Sequence, residues 1–134
     1  MNELDTIGHP NADIRRLNQQ GLNCALHGRL RGAADHFSAS LTIAPTQADT
    51  WFTLANVQQR LGRTAAAAAS FRKALSVDPM HVEAAFNLGN LHLKSGAPLQ
   101  AVRAYTLALD IDPDHAGVCA NLARAFHRLN RLQD

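Results

Sequence analysis

The sequence is poor in several residue classes, and each shortage excludes a type of protein. Aromatic residues make up only 5% of the 134 residues, and no stretch approaches the ~20 apolar residues that a membrane-spanning helix needs. Residues 1–13 show no basic segment followed by an apolar run, so no signal peptide is predicted. We therefore expect no membrane segment and a cytoplasmic location.

Charge of one sign and cysteine are also scarce. The net charge is +2, and no dense basic stripe of the kind that neutralises nucleic-acid phosphates occurs, so no nucleic-acid partner is predicted. The two cysteines, Cys24 and Cys119, are almost three repeats apart in the register described below. Packed helix layers of ~10 Å would separate them by roughly 25–30 Å, whereas a disulfide needs Cα atoms within about 7 Å. Two free thiols fit a reducing compartment.

Residues suited to catalysis or metal binding occur in no recognisable arrangement. There is no phosphate-binding glycine loop or zinc-peptidase motif, and the seven histidines include no pair four residues apart. The run Asp110-x-Asp112-x-Asp114 resembles the start of a calcium loop. The glycine and glutamate that such a loop then needs are replaced by His115 and Asn121. We predict no enzyme activity, no metal and no cofactor.

What the sequence does contain is a repeat of 34 residues. Pro45, Pro79 and Pro113 keep this spacing. A fixed period in this range is typical of stacked repeats rather than of one irregular globule. Four more columns follow the same register: Gly28, Gly62 and Gly96; Ala33, Ala67 and Ala101; Phe37, Phe71 and Tyr105; Leu41, Leu75 and Leu109.

Each repeat is predicted to form two helices. Apolar residues recur at three- and four-residue steps from Trp51 to Leu61, which predicts an amphipathic first helix. Gly62 follows as a left-handed helix stop, and the second helix ends before Pro79 because proline cannot continue it. A column of small residues is expected to let the two helices cross closely, with the aromatic column filling the space; it comprises Gly21, Ala55, Gly89 and Ala123.

These residues resemble the tetratricopeptide repeat family, whose 34-residue pattern places an aromatic, a leucine-glycine pair, alanines and a proline at set positions. The second unit matches through Trp51, Leu54-Ala55, Ala67, Phe71, Ala74 and Pro79. The third matches through Leu88-Gly89, Ala101, Tyr105, Ala108 and Pro113. The resemblance implies an all-α, right-handed superhelical solenoid whose first helices line a concave groove.

The register divides the chain into five segments. Residues 1–13 are predicted to be a tail or short cap, followed by full repeats at 14–47, 48–81 and 82–115. Residues 116–134 supply one further first helix. This helix either opens a fourth repeat of a longer array or caps the present one, since arrays need a solvated end.

Polar residues recur beside Leu54, Leu88 and Leu122, where packing does not require them. A helical neighbour points about 100° away from the packing residue, toward the expected groove. A carboxamide there could donate to, and accept from, a peptide backbone. Asn87 and Asn121 resemble the asparagine ladder in the repeat arrays of O-linked N-acetylglucosamine transferases, with Thr53 and Gln19 as degenerate positions. The alternative is that they are solvated helix residues.

Two further columns extend the expected groove. Phe52 and Phe86 could anchor an apolar side chain of a partner, or could pack against the neighbouring first helix. Basic residues would attract an acidic segment, although the positions that hold a carboxylate in chaperone-binding relatives lack cations here. The predicted groove consists of Phe52, Thr53, Asn56, Phe86, Asn87, Asn90, Asn121 and Arg124.

The sequence thus predicts a non-catalytic module that binds a protein or peptide. Two alternatives stay open. The chain could be the substrate-recruiting arm of a larger enzyme of the glycosyltransferase or sulfotransferase type, or a structural unit that self-associates through its open C-terminal end.

Overall fold

The computed structural model describes residues 9–133, and in these residues every regular element is an α-helix. Each of the first three repeats contributes two helices that pack against each other, and consecutive pairs stack in chain order. The helices are α1 (Pro10–Leu26), α2 (Leu30–Ile43), α3 (Ala48–Arg60), α4 (Thr64–Val77), α5 (Val82–Lys94), α6 (Pro98–Ile111) and α7 (Ala116–Gln133). Helix α1 begins inside the segment predicted as a tail; the unit boundaries themselves stay a prediction.

Two kinds of turn set the repeat geometry. Within a unit, the first helix ends before a glycine in the left-handed region, with φ of 73° at Gly28, 78° at Gly62 and 77° at Gly96. Glycine adopts this conformation without the steric penalty of a Cβ atom. Between units, the residue before each proline is extended, as Asp78 is (φ −128°, ψ 94°), because proline disfavours helical geometry in its predecessor.

The small-residue column positions the aromatic core. The ring of Phe37 lies so close to Gly21 that a Cβ atom there would come within 2.7 Å of it. Tyr105 lies against Gly89 in the same way, and both Ala55 and Phe71 are fully buried in the unit between them. The close helix crossing predicted from the sequence is therefore present in the structure.

No helix among residues 9–133 is long and apolar enough to cross a membrane. Cys24 is half-buried and Cys119 is exposed, and both are free thiols.

Candidate functional site

Asparagines from successive first helices are joined in pairs. Nδ2 of Asn87 on α5 donates to Oδ1 of Asn56 on α3 over 3.1 Å. One unit later, Nδ2 of Asn121 on α7 donates to Oδ1 of Asn90 on α5 over 2.8 Å. All four residues are half-buried. The structure thus brings the four predicted asparagines together on the side formed by α3, α5 and α7.

The second asparagine pair is tied to the core. The phenol of Tyr105 on α6 donates to Oδ1 of Asn90 over 2.5 Å, so this oxygen accepts two hydrogen bonds. Burial raises the pKa of the Tyr105 phenol above its usual 10.0, against smaller opposing effects of Asn121, Arg124 and Arg128. Asn90 is therefore held in one orientation by a neutral hydroxyl donor.

Each asparagine pair leaves hydrogen-bonding capacity unused. An amide carries two donor hydrogens and an acceptor oxygen. Among the described residues, Oδ1 of Asn87 and Nδ2 of Asn56 make no hydrogen bond, and neither atom is a buried unsatisfied group. These two atoms are free to bind a polar ligand while the pair itself stays intact.

Thr53, another polar position of the predicted groove, is less available to a ligand. The hydroxyl of Thr53 donates to the carbonyl oxygen of Asp49 in its own helix over 2.9 Å. Gln19 is exposed on α1. A Thr53 hydroxyl bonded within its helix has no hydrogen left to donate to a ligand, although its oxygen can still accept.

Phe52 and Phe86 are half-buried between units. The ring of Phe52 lies 5.0 Å from the ring of His81 and 6.1 Å from that of Phe71, measured between centroids. Phe86 lies 4.8 Å from His115 and 6.2 Å from Tyr105. Packing against the second helix of the same unit and against the histidine that follows it accounts for much of each ring, and partner binding by the remaining surface stays a prediction.

The histidines that contact these rings also begin the next first helix. Nδ1 of His81 accepts from the backbone N–H of Ala84, and Nδ1 of His115 accepts from that of Val118, both over 3.1 Å. A side-chain acceptor at this position satisfies one of the free N–H groups at a helix start. Nε2 of His81 also lies 2.9 Å from a carboxylate oxygen of Asp49.

Basic residues gather at the C-terminal end of the same side. Arg124 is exposed and its guanidinium lies 3.3 Å from Oδ1 of Asn121. The guanidinium of Arg128 donates to the carbonyl oxygen of Leu93 over 2.6 Å, which links α7 to the end of α5. A cleft of about 370 Å³ opens along α7 beside these residues, lined by Ala123, Arg124, His127, Arg128 and Arg131.

Within residues 9–133, no three His, Cys, Asp or Glu side chains are grouped in a way that could hold a metal ion. In the part of the chain that the structure describes, one titratable group outside the asparagine network is perturbed: burial, with a smaller contribution from Arg72, lowers the pKa of His92 below 6.5. His92 lies on α5 at the position that Gln58 occupies on α3.

Comparison with known proteins identifies the repeats. Residues 52–116 match the tetratricopeptide repeat family. No curated protein sequence matches the chain. Solved structures show the same fold at low sequence identity. The MamA protein is 17% identical with a TM-score of 0.82, over 87% of this chain and 64% of that one, so the present chain spans less than two thirds of its length.

Two other similar structures differ in how much of their own length the present chain covers. The first tetratricopeptide domain of Spaghetti (RPAP3), bound to the HSP90 peptide SRMEEVD, is 17% identical with a TM-score of 0.82, covering 89% of this chain and 94% of that chain. The O-GlcNAc transferase of Thermobaculum terrenum is 24% identical with a TM-score of 0.74, covering 90% of this chain but 23% of that chain. Residues 52–116 thus match the tetratricopeptide repeat family, and the chain has the all-α solenoid fold of these solved structures.

Proposed function

We propose that the chain is a non-catalytic module that binds a protein or peptide along the side formed by α3, α5 and α7. The observation that carries the proposal is the series of paired asparagines, Asn56 with Asn87 and Asn90 with Asn121. Each pair fixes the amide planes, which reduces the side-chain entropy that a ligand would have to overcome.

The pairing also favours recognition of a peptide backbone. Unused hydrogen-bonding capacity recurs at the same place in successive units: Asn87 and Asn121 each keep a second N–H hydrogen, and the oxygen of Asn87 is free, whereas that of Asn121 accepts from Arg124. An extended peptide offers carbonyl and N–H groups at regular spacing, so such a series would bind the main chain with little dependence on sequence. The peptide-bound structure of Spaghetti (RPAP3) supports the use of this fold for a peptide ligand.

The test compares partner binding by the wild-type chain and by the Asn87→Ala/Asn121→Ala variant. Proteins captured from a native lysate are identified by mass spectrometry, and the affinity of the strongest partner is then measured with purified protein. We expect the double variant to bind at least tenfold more weakly. The matched control is Asn23→Ala, an exposed asparagine on α1. An affinity within twofold of wild type for the double variant would refute the proposal.

A second candidate is that these repeats recruit substrate for an enzyme in a larger protein. Asn87 and Asn121 resemble the asparagine ladder of such transferases, and the present chain covers 23% of the O-GlcNAc transferase of the same fold. Sequencing the gene beyond the codon of Asp134 distinguishes the two: a stop codon there would refute this candidate.

Self-association through α7, the third candidate, predicts a concentration-dependent increase in mass by light scattering.

A further inference from the structure

The side formed by α3, α5 and α7 continues onto α1, where its character changes. Asn56 and Asn90, which belong to the asparagine pairs, occupy one column of the repeat, and Leu22 holds this column in α1. Leu26 lies four residues later, which places it one turn on along the same face of the helix. Helix α1 therefore presents two leucines on the side where α3 and α5 present asparagines.

Both leucines are accessible in the presence of their neighbours. Leu22 exposes 45% of its surface and Leu26 exposes 83%. In the asparagine pairs, a residue of the Leu22 column contacts the first helix of the following unit. For Leu22 that helix is α3, and with α3 in place nearly half of the leucine is still accessible. Exposed leucines at the end of a polar series give apolar side chains of a ligand a place to pack.

Two arginines hold the same columns at the other end, on α7. Arg124 stands in the column of Leu22, and its guanidinium donates to Oδ1 of Asn121. Arg128 stands in the column of Leu26 and donates to the carbonyl oxygen of Leu93. Among residues 9–133 each guanidinium makes one hydrogen bond, and it has five N–H hydrogens. Both arginines therefore keep donors for a carboxylate beside the second asparagine pair.

The column that begins with Leu26 carries a cation in every later unit, namely Arg60, Lys94 and Arg128, all exposed. The carboxylates of Asp49 and Glu83 lie in the first turns of α3 and α5, and each faces a histidine of the next unit. They are roughly three helical turns away from the cations. This edge of the asparagine side therefore attracts anions along α3, α5 and α7, whereas its two positions on α1 are apolar.

We propose that the ligand of the asparagine side is an extended peptide with apolar side chains at one end and carboxylates at the other. The apolar end lies on Leu22 and Leu26, and the carboxylates pair with Arg124 and Arg128. The three steps from α1 to α7 span roughly 30 Å at ~10 Å per helix layer, which about ten extended residues cover. This inference rests on the proposed function and adds the composition and orientation of its ligand.

A synthetic peptide tests the composition. The probe has ten residues, with leucine at its first and third positions, serine in the middle and glutamate at its eighth and tenth positions. Both ends are blocked, so that no terminal carboxylate takes part. Two control peptides carry serine in place of leucine, or lysine in place of glutamate. We expect the probe to bind at least tenfold more tightly than either control by titration calorimetry. Equal binding of the three, or no binding, would overturn the proposal.

Protein variants locate the two ends. Leu22→Asn/Leu26→Arg places in α1 the residues of the next unit and should abolish the advantage of the probe over the serine peptide. Its control is Leu107→Lys, which changes an exposed leucine of α6 to the residue of the preceding unit. Arg124→Asn should weaken the preference for glutamate over lysine, whereas Arg103→Asn, at an exposed position of α6, should not. Equal effects of a variant and its control would refute the proposal.

Photocrosslinking tests the orientation. A benzophenone at the leucine end of the probe should label α1, and one at the glutamate end should label α7, as read from the mass spectrum of a digest. Labelling of the same helix from both ends would contradict the inferred orientation.

The two proposals fail in distinguishable ways. If Asn87→Ala/Asn121→Ala loses its lysate partner but the probe binds the Leu22→Asn/Leu26→Arg variant as it binds wild type, the composition is wrong and the proposed function stands. If the asparagine variant keeps both its lysate partner and its affinity for the probe, the asparagines bind no ligand and the proposed function is wrong.

Discussion

The junction between the first and second units is polar where the next junction is aromatic. In the first, Gln47 lies at the centre of a hydrogen-bonded group: its amide donates to the hydroxyl of Ser40 over 3.1 Å and accepts from Asn18 over 2.9 Å and Thr50 over 3.1 Å. One repeat later these four positions hold Phe52, Ala74, His81 and Ala84.

Both junctions connect one repeat to the next, but they differ in how much stability a substitution removes. The aromatic junction is stabilised by burial of ring surface. This stabilisation is roughly proportional to the buried area, so a small loss of contact removes only part of it. The polar junction depends on every member having a partner, and one acceptor, Oδ1 of Asn18, is buried without any. Buried polar groups add stability only when fully satisfied, and otherwise they carry a desolvation cost. The first junction is thus the more fragile of the two.

Removing the central residue of the polar junction should have the largest effect. Gln47→Leu would leave Asn18, Ser40 and Thr50 without their shared partner, which we expect to cost about 3 kcal/mol of the free energy of unfolding. The matched change His81→Leu removes one helix cap and should cost about 1 kcal/mol. Urea unfolding of both variants measures the difference. Equal losses would show that the two junctions are energetically alike.

Converting the first junction to the aromatic type should instead raise the free energy of unfolding. The combined change Asn18→Phe, Ser40→Ala, Gln47→His and Thr50→Ala reproduces the second junction and removes the unpaired oxygen of Asn18. We expect a gain of about 1–2 kcal/mol, since replacing a buried polar cluster by packed apolar residues is often stabilising. A lower unfolding midpoint in urea would mean that the polar group contributes net stability.

Acidification should have the smallest effect of the three changes on stability, and it should act mainly on the unit that contains His92. Because burial lowers the pKa of His92 in the folded state, the unfolded chain binds more protons and stability is lost as pH falls below 6.5. His92→Gln, which places there the residue of the preceding unit, should flatten the pH dependence between pH 7.5 and 5.5. Amide hydrogen exchange in α5 and α6 measures it locally. An unchanged profile in the variant would assign the dependence to other groups.

The sequence predicted most of the fold because the fold depends on residues that recur every 34 positions. Gly62, Pro79 and Phe71 each act within a single unit, so comparing units revealed their roles. The solenoid of helix pairs followed from these columns, and the structure and the solved structures with the same fold confirm it. The N-terminal end of α1 had no repeated counterpart, and its helical residues before position 14 were not predicted.

The contacts of the candidate site were harder to predict because they do not follow the repeat period. Asn56 contacts Asn87, and Asn90 contacts Asn121, at a separation of 31 residues in each case. A position on one first helix faces a different position on the next, so residues in one column do not touch. The contact of Gln47 with Asn18 also departs from the repeat period, at a separation of 29 residues, and its role was hidden for the same reason. The signal for these contacts that the sequence did contain was the recurrence of asparagine in two columns, Asn56 with Asn90 and Asn87 with Asn121.

The asparagine pairs also have a mechanical consequence. They connect α3 to α5 and α5 to α7 directly, across the side of the solenoid formed by the first helices. A solenoid bends when the distance between successive first helices changes, because each unit contacts only its neighbours. The pairs therefore favour one spacing of the first helices, and tension applied to the two ends would load these hydrogen bonds together with the packing between units. We expect the two pairs to stiffen the array at the junctions of α3 with α5 and of α5 with α7.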